Sequence, residues 1–394
     1  MTLIGLAYNQ KPEPTELASP LPEGGRQEDG ELARPDEEPP SKIVDLTIAA
    51  LIARDEFAEW DAPATIAAVV SALSPLGKVV RLEANEEFPE RLRQARPDIV
   101  FNIAEGFRGV NREAHVPAIC EFYGIPYTGS DPFTLTLCLD KARAKETLAF
   151  HGIPTPRFAV VAELNEIESR TADLKLPLFV KPLHEGSSKG ITDRNLCWDR
   201  SQLLAQAKLL LEHYRQPALV EEYLPGEEFT CAVLGNGDEA TVLPIVGMNF
   251  EALPTGALPI YGFDAKFVWD RPENPLDIFQ CPARITSELR ASIERVTLDA
   301  FRVLGCRDWA RIDVRLDAAG TPNVLEVNPL PGILPDPADN SCMPKAARAA
   351  GIGYEELIQS CLKFGAARQG VILDRTPVPT RAAANEPALA TGLT

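Results

Sequence analysis

Residues 311–332 read RIDVRLDAAGTPNVLEVNPLPG, and the reading of this stretch decides the architecture. Asp313 follows Ile312 inside an alternating apolar and polar run, and Glu326 sits likewise in NVLEVN. The turn signal AAGTPN between them predicts a hairpin with both carboxylates on one face. Asp313, Glu326 and Asn328 then present three oxygen ligands together, the donor type that a hard dication such as Mg2+ takes while keeping phosphates and waters in its shell. The stretch points to a metal-nucleotide site. Solvent-facing acids on an ordinary hairpin show the same pattern, so other segments have to decide.

At 394 residues the chain has room for two or three domains with sizeable cores. Its 45% hydrophobic and 24% charged residues are those of an ordinary soluble protein. A formal net charge of −18 without a basic patch argues against a nucleic-acid partner, because phosphate backbones are held by clustered Lys and Arg. The N-terminal MTLIGLAYNQ has neither the basic start nor the long apolar run of a signal peptide. No other run approaches the roughly 20 apolar residues that span a bilayer, so a cytoplasmic protein without a membrane partner is expected. The eight cysteines are dispersed with no CxxC pair, which predicts reduced core thiols and neither disulfides nor a zinc site.

Thr2 to Asn9 reads as a first strand. The segment from Lys11 to Lys42 that follows carries nine acids, four basic residues and seven prolines, too polar to bury a face, and is expected to be a disordered insertion. A helical pattern from Pro63 to Leu73, a strand near Lys78 to Leu82, a helix near Glu86 to Ala95 and the strand DIVFNI predict a small doubly wound α/β domain. It closes near GIPYTGSDP. A helix is expected from Cys138 to Phe150, and PRFAVV, PLFVKPL, ALVEEYL and FTCAVLG read as strands of an α+β region. The end of the chain, rich in Pro and Ala, is expected to fray.

PLFVKPLHEGSSKGI is a buried strand ending in Lys181, followed by a loop with two glycines and two serines. Glycines let backbone amides approach a phosphate, Ser187 and Ser188 add hydroxyls, and Lys181 adds a point charge. That combination suits a triphosphate, although many such loops are plain hairpin turns. ALVEEYLPGEEF places Glu221 and Glu228 on either side of a turn at Pro225 and Gly226. A carboxylate acceptor there matches a ribose diol, and backbone groups of a strand leaving the core match adenine. A charged strand end is the plainer alternative.

The order of Lys141, the Lys181 loop, the Glu221 to Glu228 linker, Lys266 and the Asp313, Glu326 and Asn328 set resembles the ATP-grasp fold. More narrowly, it resembles the D-alanine:D-alanine ligase family. YTGS, LDKARAK, KPLHEGSSKG, RIDV, LEVNPLPG and SCMPKAARAAG carry the likeness, from about Asp98 to Leu357. It implies an N-terminal doubly wound α/β domain over 1–130 with its insertion at about 11–42. Two α+β subdomains, 131–221 and 222–375, would hold the nucleotide between them, with a tail from 376. By the resemblance, Lys141 and Lys181 contact the phosphates of ATP, and Glu221 with the backbone of Glu222 and Leu224 holds adenine. Glu228 holds the ribose, Lys266 the transferred phosphate, and Asp313, Glu326 and Asn328 two Mg2+ ions, with Mn2+ as a substitute. Arg311 and the Gly332 amide stabilise the tetrahedral intermediate, Ser341 binds the acceptor carboxylate, and the enzyme is a homodimer.

The departures concern substrates. The usual glycine-rich first loop, with its Ser and donor-gripping Glu, is replaced by GLAYNQKPEP, and Glu56 and Asp61 are the candidate substitutes. NIAEGFRGVNREAH places Glu105 where the family has an imidazole, as an ammonium-binding carboxylate or a structural loop acid. Phe267 follows Lys266 where the common form has Tyr, so a hydroxyl network with Ser187 cannot close. About four extra residues separate Gly332 from Ser341. The expectation is an ADP-forming ligase joining a carboxylate to an amine, for D-alanine or another amino acid. A nucleotide-binding regulator without catalysis is the rival.

Overall fold

The computed structural model describes residues 1–12, 57–262, 265–270 and 275–373, without the side chain of Phe267. Of the expected acidic insertion only Lys11 and Pro12 fall among them, and the tail beyond 373 lies outside.

Strand β1 (Leu3–Tyr8) is the centre of a three-stranded parallel sheet, between β2 (Lys78–Glu83) and β3 (Ile99–Asn102). Side chains alternate across a strand, so Ile4 and Leu6 pack against Ile66, Val69 and Leu73 of helix α1 (Pro63–Leu73). Ala7 and Val100 turn to the opposite face, toward Phe88 and Leu92 of α2 (Phe88–Ala95) and Cys120 of α3 (His115–Tyr123). Helices on both faces are the expected doubly wound arrangement. Gly5 is required by that packing, since a Cβ there would lie 2.9 Å from Leu82 Cδ1.

The chain continues in α4 (Pro132–Leu139) and α5 (Lys141–Phe150). The sequence pattern suggests one helix from Cys138, but Asp140 is extended and its carboxylate accepts from the amides of Ala142 and Arg143 at 3.1 and 3.0 Å. An N-cap of this kind starts a new helix, which makes Lys141 its first residue. An antiparallel sheet follows, in the order β4 (Phe158–Val161), β7 (Ala218–Glu222), β5 (Leu178–Pro182), β6 (Leu196–Cys197). Helix α6 (Arg200–Tyr214) covers it with Leu203, Ala207 and Leu210 against Val180 and Val220.

The third sheet runs β11 (Phe279–Gln280), β10 (Val246–Met248), β8 (Glu228–Leu234), β12 (Trp309–Leu316), β13 (Pro322–Asn328), with β9 (Thr241–Val242) paired to β8. Helix α7 (Ser287–Val303) buries Ile293, Val296 and Phe301 on one face, against Cys231, Ile312, Val314 and Val324. The polar residues that alternate with these are turned to the other face. Helices α8 (Cys342–Ala349) and α9 (Tyr354–Arg368) close the chain, α9 packing on α1. No helix among the described residues is long and apolar enough to cross a membrane.

The first and third sheets meet at Trp309, fully buried with its ring 5.7 Å from that of Phe101. Beside it Asp308, also fully buried, adopts a left-handed backbone (φ 66°), which Asp tolerates better than most residues. Its carboxylate accepts from Gly129 N at 2.8 Å, Asn236 Nδ2 at 2.8 Å and Arg368 Nη2 at 2.9 Å. One acid therefore joins the YTGS turn, the end of β8 and helix α9. Removing one partner of a buried ion pair strands the other charge. Asp308→Ala is accordingly expected to cost about 3–5 kcal/mol in denaturant unfolding, and a loss below about 1 kcal/mol would show that the junction is held by apolar packing alone.

Candidate active site

A cavity of about 250 Å3 separates the second sheet from the third, walled by residues of β5 and β7 on one side and of β8, β12 and β13 on the other. Because Ile312 and Val314 face α7, Arg311 and Asp313 face this cavity. The antiparallel register sets Asp313 opposite Glu326 and Arg311 opposite Asn328, as the hairpin reading anticipated. A register shift just after Asp313 leaves Leu325 facing the cavity beside Glu326.

Arg311 Nη2 donates to Asp313 Oδ2 at 3.0 Å, and Asn328 Nδ2 lies 3.5 Å from the same oxygen. Lys141 Nζ is 3.2 Å from Glu326 Oε1 and donates to the carbonyl of Glu185. Two carboxylates and a carboxamide on adjacent strands form an all-oxygen donor set, which fits a hard dication. No cluster of three His, Cys, Asp or Glu side chains that could hold a metal occurs among the described residues.

Lys181 on β5 lies 2.8 Å from Glu221 Oε1, and Lys145 on α5 lies 3.0 Å from Glu221 Oε2. Burial pushes the Glu221 carboxyl up, but the two lysines outweigh it and hold the pKa at about 2. Glu221 is thus committed to lysines, and any influence on a base is exerted through them. Lys145 was not singled out in the sequence. The available signal was its place four residues after Lys141, on one face of a helix. The amide of Glu222 donates to Arg157 O at 2.9 Å, and its carboxylate accepts from Lys175 N at 3.0 Å. Leu224 lines the cavity, as does Glu228, which accepts from Arg315 Nη1 at 2.7 Å.

In the loop after β5, Ser187 and Ser188 are both left-handed, with φ of 49° and 59°. Ser188, not Ser187, makes the side-chain bond, donating to Tyr261 O at 3.0 Å. The loop is fastened by a residue that sequence reasoning missed. Glu59 accepts from Gly186 N at 2.9 Å, Lys189 Nζ at 2.8 Å and Arg112 Nη2 at 3.0 Å. Burial opposes the charge, yet Arg112 and Lys189 bring the Glu59 pKa down to about 2. Three acids precede α1 in EFAEWDAP, and spacing alone does not say which one reaches the loop. Of the two proposed there, Glu56 lies outside the described residues and Asp61 lines a second cavity.

That cavity, about 170 Å3, adjoins the first and is shared by Asp61, Glu105, Glu113, Lys266, Arg311 and Gly332. Burial, with Glu59 adding repulsion, raises Glu113 to about 7. Glu105 is raised well above its usual range by burial and by Glu113, and burial raises Asp61 to about 7. Glu105 and Glu113 form no ion pair among the described residues, which separates them from the paired acids of the first cavity. Burial and the nearby Arg311 and Lys11 lower Lys266 to about 8. Lys266 and Phe267 lie in a π-helical turn, Ala265–Trp269, and the expectation about the Phe267 ring falls outside the described side chains. Ser341 Oγ donates to Gly332 O at 3.2 Å and accepts from Leu334 N at 3.3 Å, bridging the loop before α8.

Residues 148–363 match the family model described as "D-ala D-ala ligase C-terminus". An uncharacterized protein, y4sG, of Sinorhizobium fredii is 40% identical over 67% of this chain and 73% of its own length. A D-alanine–D-alanine ligase of Cupriavidus taiwanensis is 35% identical over 67% of this chain and 75% of its own. A solved D-alanine–D-alanine ligase of Bacillus anthracis complexed with ATP superposes with a TM-score of 0.61 at 20% identity, over 94% of this chain and 99% of that one.

The Glu59 contacts generate a prediction about the loop. Charge-assisted hydrogen bonds contribute about 1.5–3 kcal/mol each, so Lys189→Met or Glu59→Gln should accelerate amide hydrogen exchange across Gly186 to Ile191 by roughly tenfold or more. Exchange as slow as in the parent protein would show that Glu59 does not restrain the loop.

Proposed function

The chain belongs to the D-alanine–D-alanine ligase family, and on that footing we propose that it is an ATP-dependent, ADP-forming ligase. It joins the carboxylate of one amino acid to the amine of another through an acyl phosphate. The observation that carries this reading is the convergence of Lys141, Lys181, Arg311, Asp313 and Glu326 on one cleft between two sheets. Phosphates of ATP lie against Lys141 and Lys181 under the Ser187 loop, with the base toward Leu224 and the ribose on Glu228. Asp313, Glu326 and Asn328 would hold Mg2+, two ions in our reading, and the metal would supply positive charge toward the transferred phosphate. Lys266 supports that phosphate from the junction of the two cavities. Arg311, with the Gly332 amide, faces the oxyanion that forms when the amine attacks. A regulator that only binds nucleotide has no need of that arginine.

The donor takes the second cavity in this reading. Its ammonium settles on Glu105 and Glu113, acids that have no ion-pair partner among the described residues, and its carboxylate points to Arg311. The acceptor carboxylate lies toward Ser341. A carboxylate in place of the family's imidazole favours a donor other than D-alanine. Family membership also leads us to expect a cytoplasmic homodimer acting on small molecules.

Phosphate release from ATP and Mg2+ over a panel of paired D- and L-amino acids tests the reading, and no stimulation by any pair would defeat it. Asn328→Ala and Glu326→Gln should each lower that release on the order of 100-fold while the protein remains folded by circular dichroism. Donor recognition should depend on pH. Acids with raised pKa are ionised only above that value, so the donor KM should fall as pH rises from about 6 to 8. Glu113→Gln should flatten that dependence, and an equally steep profile in the variant would remove Glu113 from donor binding.

A further inference from the structure

Arg315 has no role in the reading above, yet it lies buried, 5% exposed, at the nucleotide end of the cleft. Alternation along β12 puts it on the face of Arg311 and Asp313, and the antiparallel register sets it opposite Glu228. Its Nη1 donates to Glu228 Oε2 at 2.7 Å, and Nη2 donates to the Tyr223 hydroxyl at 2.7 Å and the Pro259 carbonyl at 3.1 Å. The guanidinium also lies over the rings of Tyr223 and Phe250, 4.8 and 5.5 Å from their centroids. Three acceptors hold the two Nη groups, Nε has no hydrogen-bond partner among the described residues, and a guanidinium so placed beside two rings cannot rotate without losing several contacts. Glu228 Oε1, by contrast, makes no hydrogen bond among the described residues.

We propose that Arg315 is a ribose-positioning residue, fixing Glu228 with Oε2 committed and Oε1 open to a sugar hydroxyl, so that the nucleotide is selected by its ribose diol. The inference rests on the reading of Glu228 as the ribose acceptor. Burial raises the Glu228 pKa, and Arg315 and Lys181 are the charges that work against that rise while Asp313 adds to it. Without the guanidinium the carboxyl would be free to rotate and would more readily take up a proton, and a neutral acceptor makes a weaker bond than an ionised one. An Arg here therefore acts on nucleotide selection through Glu228, with no part in the chemical step.

The test is equilibrium binding of ADP, 2′-deoxy-ADP and 3′-deoxy-ADP, each with Mg2+, to the full chain and to Glu228→Gln, Arg315→Met and Arg315→Lys. The parent protein should prefer ADP over at least one deoxy analogue by roughly tenfold, the worth of one charge-assisted hydrogen bond. Arg315→Met should bring that ratio close to unity. Arg315→Lys, which keeps the charge and loses the fork, should lower it partway. A ratio unchanged in Arg315→Met but collapsed in Glu228→Gln overturns the role of Arg315 and leaves the ribose reading standing. No preference in the parent, or a ratio unaltered in Glu228→Gln, overturns the ribose reading and this proposal with it. Should Arg315→Met fail to fold, Arg315→Lys and Tyr223→Phe carry the comparison, and an unchanged ratio in both overturns the proposal.

Discussion

Taking a carboxylate out of water costs several kcal/mol unless a cation is buried with it, and the whole cleft is arranged around that cost. Glu221 on β7 is met by Lys145 from α5 and Lys181 from β5. Glu326 on β13 is met by Lys141 from the start of α5, and Glu59 by Arg112 and Lys189. Lys181 shares the sheet of Glu221, but Lys145 and Lys141 both come from α5, so their pairs tie the second sheet to the third through that helix, while Glu59 ties the first domain to the phosphate loop. Glu105 and Glu113 are the departure from this pattern. Their carboxyls stay high because burial and repulsion from neighbouring acids outweigh the nearby cations, which is the condition of a group that gains from an incoming cation.

Several of the pairs stand where ligands belong. Lys141 holds Glu326, and Arg311 holds Asp313, so in each case a cation rests on a carboxylate that our reading gives to a metal ion. In our reading the lysine would exchange a carboxylate for a phosphate on ligand entry, and the carboxylate would exchange a lysine for a dication. Each group would keep a neighbour of the same sign through that exchange. The cleft can therefore be pre-organised without nucleotide, and little reorganisation is left for the reaction.

Local periodicity made the hairpin legible: alternation with a turn signal put Asp313 and Glu326 on one face, and the structure sets them opposite each other. The same reasoning found the parallel strands and α1, and it failed at Asp140, where a capping carboxylate ends one helical pattern and starts another. Lys145 and Glu59 escaped for a different reason. Their roles are set by partners 76 and 130 residues away, Glu221 and Lys189, and no spacing rule reaches that far. Arg315 lay in plain alternation with Arg311 and Asp313, but an arginine in a strand is ordinary until Glu228 is seen across from it. The YTGS string was noticed for its likeness, and its physical task, offering Gly129 N to Asp308, appears only with the fold assembled.

One strand carries Arg311, Asp313 and Arg315 at every second position. Successive stations on β12 are consequently separated by a fixed step of about 7 Å, twice the rise of an extended residue. The strand works as a graduated rule whose zero is set by the Asp308 junction. Point substitutions alter one mark at a time, whereas a single-residue insertion between Trp309 and Arg311 would exchange the two faces and send all three marks into the apolar layer under α7 together.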